Sequence, residues 1–484
     1  MIGIVRRGFS EAKTLNLQTM NQRLFKASYA VRGEIAIRSM EIEAQMRKGQ
    51  KFPFESISAC HVGNPQVMGQ KPLTWIRQGL ALAAYPELLN HPELFPPDII
   101  EKIKKLLSRI KGGIGAYSES QGLLAVREEI CCHIKNRDGL GEVLPQDIFI
   151  TNGASPAIDA VLNTAISGPQ DGILTPIPQY PLYNALVAMK NGTNIGYYLD
   201  ERPHKWSISG SSIVKSIENS LAKGIVPKIL VVINPGNPTG EVLSLRAMNE
   251  ILDICKDHKL VLFADEVYQD NVYTDEKSFN SFRKVALQKN SPVEIASFHT
   301  VSKGFYGECG LRGGYAQIMN FDPKIREQLL KMVSIMLPSN SLGQIALALA
   351  LHPPVSGEAS YELYKKEKDQ IIGDLKQRAK AIDKEFNKMI NITCGDVEGA
   401  MYAFPRILLS KKAIDAAKEV RVQPDLFYAM KLLEETGIAV VPGSGFGQQE
   451  GTYHFRITTL ASNMIEILEK LHNFNEDFHN KYKD

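Results

Sequence analysis

Short apolar runs recur through the middle of the chain and predict its architecture. Between about residues 145 and 320 these runs are rich in Val and Ile, and helix-capable stretches separate most of them. The runs are DIFIT (147–151), GILTP (172–176), KILVVINP (228–235), KLVLFADEV (259–267) and VEIASF (293–298). Such runs, which barely alternate with polar residues, are typical of strands buried on both faces of a mainly parallel sheet. We therefore predict an α/β domain whose functional groups lie at the carboxyl ends of the strands.

The flanking segments predict helices and a second, smaller unit. Before residue 60, the stretch AVRGEIAIRSMEIEAQMRKG carries charged and apolar residues at helical spacing. After about residue 355, charged amphipathic segments surround the loop VVPGSGFG and the strand-like run YHFRITTL. These patterns predict three parts: an N-terminal helical arm with the start of the small domain (1–60), a large domain (61–350), and a small C-terminal α+β domain (351–484).

Composition and charge narrow the class of protein. The 484 residues are 44% hydrophobic and 23% charged, with a formal net charge of +3, which is ordinary for a soluble protein and argues against a nucleic-acid partner. No apolar stretch approaches the roughly 20 residues of a membrane span, so no membrane partner is expected. The six cysteines form no CxxC pair, which favours reduced thiols and a cytoplasmic location. The basic opening MIGIVRRGFS leaves organellar targeting open.

One lysine stands out in the segment FHTVSKGFYGECGLRGGY (298–315). Lys303 follows a predicted buried strand, where an amine is costly to desolvate unless the protein uses it. Thr300, Ser302 and Arg312 surround it with hydroxyl donors and a forked cation, the groups that bind a phosphate.

A second stretch offers a phosphate contact of another kind. TNGASPAIDA (151–160) is a strand end followed by a glycine, and Ala154 and Ser155 then open a predicted helix. Free amides at a helix N-terminus bind anions, although an ordinary helix cap explains this stretch equally well.

Polar residues also follow two other predicted strands. Asp265 and Glu266 come directly after a buried run, with Tyr268 close behind, and the rigid turn INPGNPTG holds Asn237 at a strand end. The acids suit a metal site, a partner for a cationic ring nitrogen, or a helix cap. The absence of GxxxxGK[ST] excludes a P-loop, and without HExxH or paired histidines nothing supports a metal.

Pyridoxal 5'-phosphate is one ligand that satisfies all of these groups. It has an aldehyde for Lys303, a phosphate for Arg312 and the helix N-terminus, and a ring nitrogen for Asp265. The motifs INPGNPTG, ADEVYQD, SKG followed by RGG, and YHFR resemble the class I aminotransferases of pyridoxal-phosphate fold type I. The runs QYPLY, SKGFYGECGLRGGY, GAMYAFPR, MKLLEETGIAVVPGSGFGQQEGTYHFR and the early YAVRGEI resemble the alanine branch of that family.

The resemblance implies a fold, an activity and a partner. The fold is a large cofactor-binding domain with a mainly parallel seven-stranded sheet between helices, plus a smaller α+β domain. The activity is amino transfer between L-alanine and 2-oxoglutarate, giving pyruvate and L-glutamate, through an internal aldimine and a pyridoxamine phosphate intermediate. The partners are small amino acids and 2-oxo acids, and a second copy of the chain in a homodimer.

The resemblance also implies residue roles. Lys303 would form the aldimine and shuttle a proton, and Asp265 would pair with the ring nitrogen. Arg456 would clamp the substrate α-carboxylate, assisted by the backbone at Gly63, and Asn237 would also contact the substrate. The remaining cofactor contacts would be Tyr268 and Asn237 at the ring's phenolic oxygen, Tyr180 on the ring face, Ala154, Ser155, Thr300, Ser302 and Arg312 at the phosphate, and Tyr117 at the phosphate of the other subunit.

Three alternatives stay open at this point. A relative of the same fold could be a pyridoxal-phosphate-dependent lyase, or could prefer glyoxylate as the amino acceptor. A transcriptional regulator built on an aminotransferase-like domain is a third reading, but it would need a DNA-binding module ahead of HVGNP (61–65), where only about 60 residues precede. The residue that reads the distal carboxylate of glutamate is not identified by the sequence.

Overall fold

A computed structural model describes residues 13–27, 33–202 and 205–484. The presequence-like opening and most of YAVRGEI (29–35) lie outside the described residues.

The described chain contains strands of very different lengths. Its strands are β1 Ile148–Asn152, β2 Asp171–Ile177, β3 Thr193–Tyr198, β4 Asp200–Arg202, β5 Lys205–Ser207, β6 Val226–Ile233, β7 Val261–Asp265, β8 Ile295–Thr300, β9 Gly313–Met319, β10 Ile392–Thr393, β11 Tyr402–Ala403, β12 Arg406–Ile407, β13 Val441–Pro442 and β14 Tyr453–Thr458.

Seven of these strands form one sheet in the order β1-β9-β8-β7-β6-β2-β3. β9 runs antiparallel to both of its neighbours, and the remaining pairings are parallel. Every residue of β8 is buried, as the unbroken apolar run VEIASF predicts for a strand covered on both faces. The predicted α/β class with a mainly parallel seven-stranded sheet is therefore confirmed.

Helices cover the sheet and connect its strands. The α-helices are α1 Arg23–Lys26, α2 Glu34–Arg47, α3 Thr74–Ala84, α4 Pro97–Leu107, α5 Leu124–Asp138, α6 Ala154–Ala165, α7 Leu182–Met189, α8 Gly210–Leu221, α9 Leu245–Asp257, α10 Phe282–Gln288, α11 Pro323–Ile335, α12 Ser341–Leu351, α13 Tyr361–Phe386, α14 Lys411–Glu419, α15 Pro424–Thr436 and α16 Met464–Lys481. Among the described helices, none combines the length and apolar character needed to cross a bilayer.

A second sheet forms near the C-terminus, with β14 paired to β11, β12 and β13 in antiparallel fashion. Its core also takes in Ile35 and Ile42 of α2, and residue 58 bridges to residue 438. Helix α13 spans 26 residues, and it packs Tyr364 against the core beside the large sheet and Phe386 against the small-sheet core. The domain boundaries at 60 and 350 stay predictions.

A cluster of charged side chains centred on the buried Asp138 connects three segments next to the large sheet. Oδ2 of Asp138 accepts from Arg283 at 2.9 Å, and Oδ1 accepts from Arg137 and Ser281 at 2.8 Å each. Arg137 also donates to Gln269, in the segment that follows β7. Burial would raise the pKa of Asp138, but the hydrogen bond and charge of Arg137, with help from Ser281 and Arg283, outweigh burial and lower it. The cluster thus joins α5, α10 and the residues beyond β7.

We expect Asp138→Ala to reduce the free energy of unfolding by about 3–5 kcal/mol, because it leaves the buried guanidinium of Arg283 and the partly buried one of Arg137 without their carboxylate. The urea midpoint of the full chain measures this. Asp253→Ala is the matched control, since Asp253 pairs with Lys289 at the surface, where its side chain is 52% exposed. Equal midpoint shifts in the two variants would contradict a structural role for the Asp138 cluster.

Candidate active site

The ends of five strands of the large sheet meet at one edge. β1, β6, β7 and β8 point their carboxyl ends there, and the antiparallel β9 begins there. This edge borders a cavity of about 510 Å³. All of the predicted site residues except Tyr117 line it: Gly63, Ala154, Ser155, Tyr180, Asn237, Asp265, Tyr268, Thr300, Ser302, Lys303, Arg312 and Arg456.

One end of the cavity is a cradle of hydrogen-bond donors. Helix α6 begins at Ala154 without a side-chain cap, so its first backbone amides have no partner within the helix. Gly153 has φ +89°, and a Cβ there would collide with the guanidinium of Arg312. Arg312 is held beside this turn by bonds to the carbonyls of Asn152 at 2.9 Å and Cys309 at 3.1 Å. Glycine thus lets a fixed cation approach a helix N-terminus, which is an anion site.

Two hydroxyls complete this cradle. Thr300 donates to the carbonyl of Gly313 at 2.7 Å, which fixes the start of β9 against the end of β8. Ser302 lies 3.1 Å from Thr300 Oγ1 and accepts from Arg312 at 3.4 Å. The donor set of amides, hydroxyls and a guanidinium fits a phosphate.

The buried carboxyl group of Asp265 lies at the middle strand end. It is 4% exposed, and Tyr183 donates to its Oδ2 at 2.8 Å. Burial raises the pKa of Asp265 to about 6, although the Tyr183 hydrogen bond and the charge of Lys303 both act to lower it. A carboxylate destabilised in this way is a strong partner for a cation, such as a protonated ring nitrogen.

Lys303 extends from the loop after β8 toward the N-terminal segment. Its Nζ donates to the carbonyl of Gly63 at 3.2 Å and lies 5.9 Å from the ring centroid of Tyr268. Tyr180 lines the same cavity and precedes α7. The amine therefore lies in the cavity that the anion cradle and Asp265 also line, between the Gly63 carbonyl and the ring of Tyr268.

Arg456 comes from the small sheet, on β14, and is only 1% exposed. Its Nη1 donates to Asn237 Oδ1 at 3.1 Å, and its Nη2 donates to the carbonyl of His61 at 3.0 Å. Its Nε has no hydrogen-bond partner, and no carboxylate pairs with the guanidinium among the described residues. A buried cation that lacks an anion beside a cavity predicts an anionic ligand.

Two contacting residues were missed by the sequence reasoning. Tyr183, the donor to Asp265, stands three residues after Tyr180 in QYPLY, so helical spacing could have pointed to it. Tyr402, in GAMYAFPR, lines the cavity, and its ring centroid lies 4.0 Å from the guanidinium carbon of Arg456. No local signal marks Tyr402, because its contacts come from distant segments.

Tyr117 lies apart from the cavity. Its side chain is 81% exposed, in the loop between α4 and α5. Its expected contact is with the site of another subunit, so the role of Tyr117 stays a prediction.

Two further structural findings concern the cysteines and possible metal ligands. The six cysteines are free thiols, and no group of three or more potential metal ligands occurs among the described residues.

The fold and this set of groups define a pyridoxal-phosphate-dependent enzyme of fold type I. The phosphate cradle, the buried Asp265 and the single lysine fit the three reactive parts of that cofactor. The chain belongs to the family of class I and II aminotransferases, whose model matches residues 79–471.

The chain is similar to several named members of this family. It is 46% identical to alanine aminotransferase 2 of Panicum miliaceum, over 98% of this chain and 100% of the relative. It is 44% identical to glutamate–glyoxylate aminotransferase 1 of Arabidopsis thaliana, over 97% and 98% of the two chains. Its fold is similar to that of an alanine aminotransferase from Pyrococcus furiosus, with a TM-score of 0.75 and 25% identity over 96% and 100% of the chains.

In the cofactor-free protein, we expect the buried carboxyl group of Asp265 to lower the free energy of unfolding as the pH rises. Its folded-state pKa of about 6 exceeds the ordinary value of 3.8, so the folded form holds the proton more tightly. Stability is then lost between about pH 4 and pH 6, by about 3 kcal/mol at 1.36 kcal/mol per pH unit. Urea midpoints at several pH values should show the stability of Asp265→Asn increasing relative to that of the wild type across this range.

The surface variant Asp253→Asn is the control, and it should follow the wild type throughout the titration. The idea fails if the difference between Asp265→Asn and the wild type does not change with pH, since the other buried carboxyl groups are common to both proteins.

Proposed function

We propose that this chain catalyses reversible amino transfer between L-alanine and 2-oxoglutarate, giving pyruvate and L-glutamate. The observation that carries the proposal is the 46% identity, over nearly the whole of both chains, to a relative named alanine aminotransferase. The cavity supports it, because Lys303, Asp265 and Arg456 all line it.

Bound pyridoxal phosphate supplies an aldehyde that condenses with amines and a ring that accepts the electron pair released at the substrate Cα. The cradle of Ala154, Ser155, Thr300, Ser302 and Arg312 would hold its phosphate. Asp265 would keep its ring nitrogen protonated, and Tyr183 would orient that carboxylate through the 2.8 Å bond.

The remaining residues would position the ring and move the proton. Tyr180 would cover one ring face, while Asn237 and Tyr268 would donate to its phenolic oxygen; these two already share a bond of 3.4 Å. Lys303 Nζ would take the proton from the substrate Cα and deliver it elsewhere on the reacting system, acting as general base and then general acid. Its bond to the Gly63 carbonyl shows that the amine can reach the N-terminal side of the cavity.

Arg456 would bind the substrate α-carboxylate, with the backbone at Gly63 assisting. The guanidinium is fixed by Asn237 and His61, and by the rings of Tyr402 and Phe446 at 4.0 and 4.7 Å. Its free Nε–H leaves a donor for an arriving carboxylate. Such fixed, bidentate recognition is suited to arginine and poorly copied by lysine.

Glyoxylate is the second candidate amino acceptor. The 44% identity to a glutamate–glyoxylate aminotransferase over nearly full length supports it. Both acceptors share the 2-oxo-carboxylate that Arg456 would bind, so the two activities differ only in what the site does with the distal part of the substrate.

We further propose a homodimer in which Tyr117 contacts the phosphate in the neighbouring subunit's site. The 81% exposure of this aromatic side chain in the single chain supports that placement. We propose a reducing compartment, with the cytoplasm as the expected location, because all six cysteines are free thiols.

The absorbance spectrum of the purified protein tests the proposed function. The visible band of the bound cofactor should bleach when L-alanine is added and return when 2-oxoglutarate follows. Faster return with glyoxylate would favour the second candidate. Lys303→Ala is the control and should lose turnover while retaining some cofactor. A band that ignores alanine but bleaches with another amino acid would contradict the alanine assignment.

We expect Arg456→Lys to raise the KM for alanine and glutamate together, by at least about tenfold, because both present the same α-carboxylate and a lysine lacks the second donor. Steady-state kinetics with each amino acid measure this. A selective loss for glutamate would show instead that Arg456 reads the distal carboxylate.

A further inference from the structure

Four side chains at the cavity form a closed ring of contacts. Arg456 donates to Asn237 Oδ1 at 3.1 Å, and Asn237 Nδ2 donates to the Tyr268 hydroxyl at 3.4 Å. Tyr268 and Tyr402 share a hydrogen bond, and the ring of Tyr402 lies 4.0 Å from the guanidinium carbon of Arg456. The ring contains one residue from each of four segments that are far apart in sequence.

Tyr402 completes this closed circle of four side chains through two different contacts. Its aromatic face contacts the cation, and its oxygen contacts Tyr268, whose ring stands nearly perpendicular at 84°. Because the Tyr268 oxygen already accepts from Asn237, its one proton is free to point toward the Tyr402 oxygen while the cofactor is absent. When Tyr268 donates that proton to the cofactor instead, the Tyr402 hydroxyl can donate to the Tyr268 oxygen. A phenylalanine at position 402 could make the first contact but not the second.

The surroundings of Tyr402 enclose its side chain tightly. It is 2% exposed, and a Cβ at Gly63 would collide with its hydroxyl, so only glycine permits the approach of that segment. The same Gly63 accepts from Lys303 through its carbonyl. The Tyr402 oxygen therefore lies where Lys303, Arg456 and the pair Asn237–Tyr268 come together.

We propose that Tyr402 is a positioning residue that joins the substrate-carboxylate clamp to the cofactor side of the site: its ring holds Arg456 and its hydroxyl holds Tyr268. The proposal rests on the proposed function for the roles of Arg456 and Tyr268, while the contacts themselves do not depend on it. Tyr402 thereby couples the two halves of the site, one supplied by each sheet.

The electrostatics of the phenol agree with this placement. Burial alone would raise the pKa of Tyr402, but the charges of Lys303 and Arg456 and the hydrogen bond with Tyr268 outweigh burial and lower it, while Cys309 acts in the opposite direction. Burial and the contact with Tyr402 raise the pKa of Tyr268 well above its ordinary value. Of the two phenols, Tyr402 is therefore the one that loses its proton first as the pH rises.

The first test uses the full chain stripped of cofactor and follows tyrosinate absorbance with pH. The wild type should form one phenolate below the ordinary value of about 10. Tyr402→Phe should lose that phenolate. Tyr428→Phe, which removes a buried hydroxyl bonded to Asn475 in the small-sheet core, should keep it. A titration of Tyr402→Phe that superimposes on the wild type would overturn the proposal.

The second test separates the two contacts in the loaded enzyme. Tyr402→Phe should lower kcat about tenfold, the effect of one lost hydrogen bond, with KM nearly unchanged. Tyr402→Leu should in addition raise the KM for amino and oxo acids about tenfold, because the ring face is gone. An equal rise in KM for both variants, or an unchanged kcat in Tyr402→Phe, would overturn the proposal. Failure of the wild type to use alanine would refute the proposed function and leave the phenolate test intact.

Discussion

The structure of the site depends on keeping charges out of water without neutralising them. Asp265 and Arg456 are both almost fully buried, and neither forms an ion pair among the described residues. A buried charge without a counter-ion costs several kcal/mol, and the cost is offset when a ligand brings the opposite charge. Asp265 requires a cation and Arg456 an anion. A cofactor with a protonated ring and a substrate with a carboxylate supply these charges. The two buried groups therefore gain their counter-charges only when the ligands bind.

Two separate sheets are needed to hold these charges. Asp265 ends a central strand of the large sheet, whereas Arg456 lies on β14 of the small one. The sheets are linked at the site by backbone: Gly399 donates to the carbonyl of Gly240, and Ala400 donates to that of Asn271. The carboxylate of Glu398 reinforces this link through the Val242 amide at 2.9 Å and an ion pair with Lys277. The segment that leads to Tyr402 is thus anchored to both loops that follow β6 and β7.

The sequence predicted most of the fold because burial on both faces leaves an unbroken apolar run. All five predicted runs became strands of the large sheet. The edge strand β3 was missed because only two of its six residues are buried and its pattern is weak, and β9 because it opens with two glycines. Residues at strand ends were predictable since their position follows from local pattern. Tyr183 was overlooked although its spacing from Tyr180 could have indicated it. Tyr402 was not predictable, because its contacts with Tyr268 and Arg456 join segments that are distant in sequence.

Asn237 shows why an amide, and no other side chain, suits the junction between the two halves. Its Oδ1 accepts from Arg456 while its Nδ2 donates to Tyr268, so it uses both polarities at once. An aspartate would accept from both and pair with the guanidinium as a counter-ion, leaving no uncompensated charge for a substrate carboxylate. A leucine would leave Arg456 and Tyr268 without partners in a buried site. The amide fixes the arginine by a neutral contact, which orients the cation and leaves its charge available.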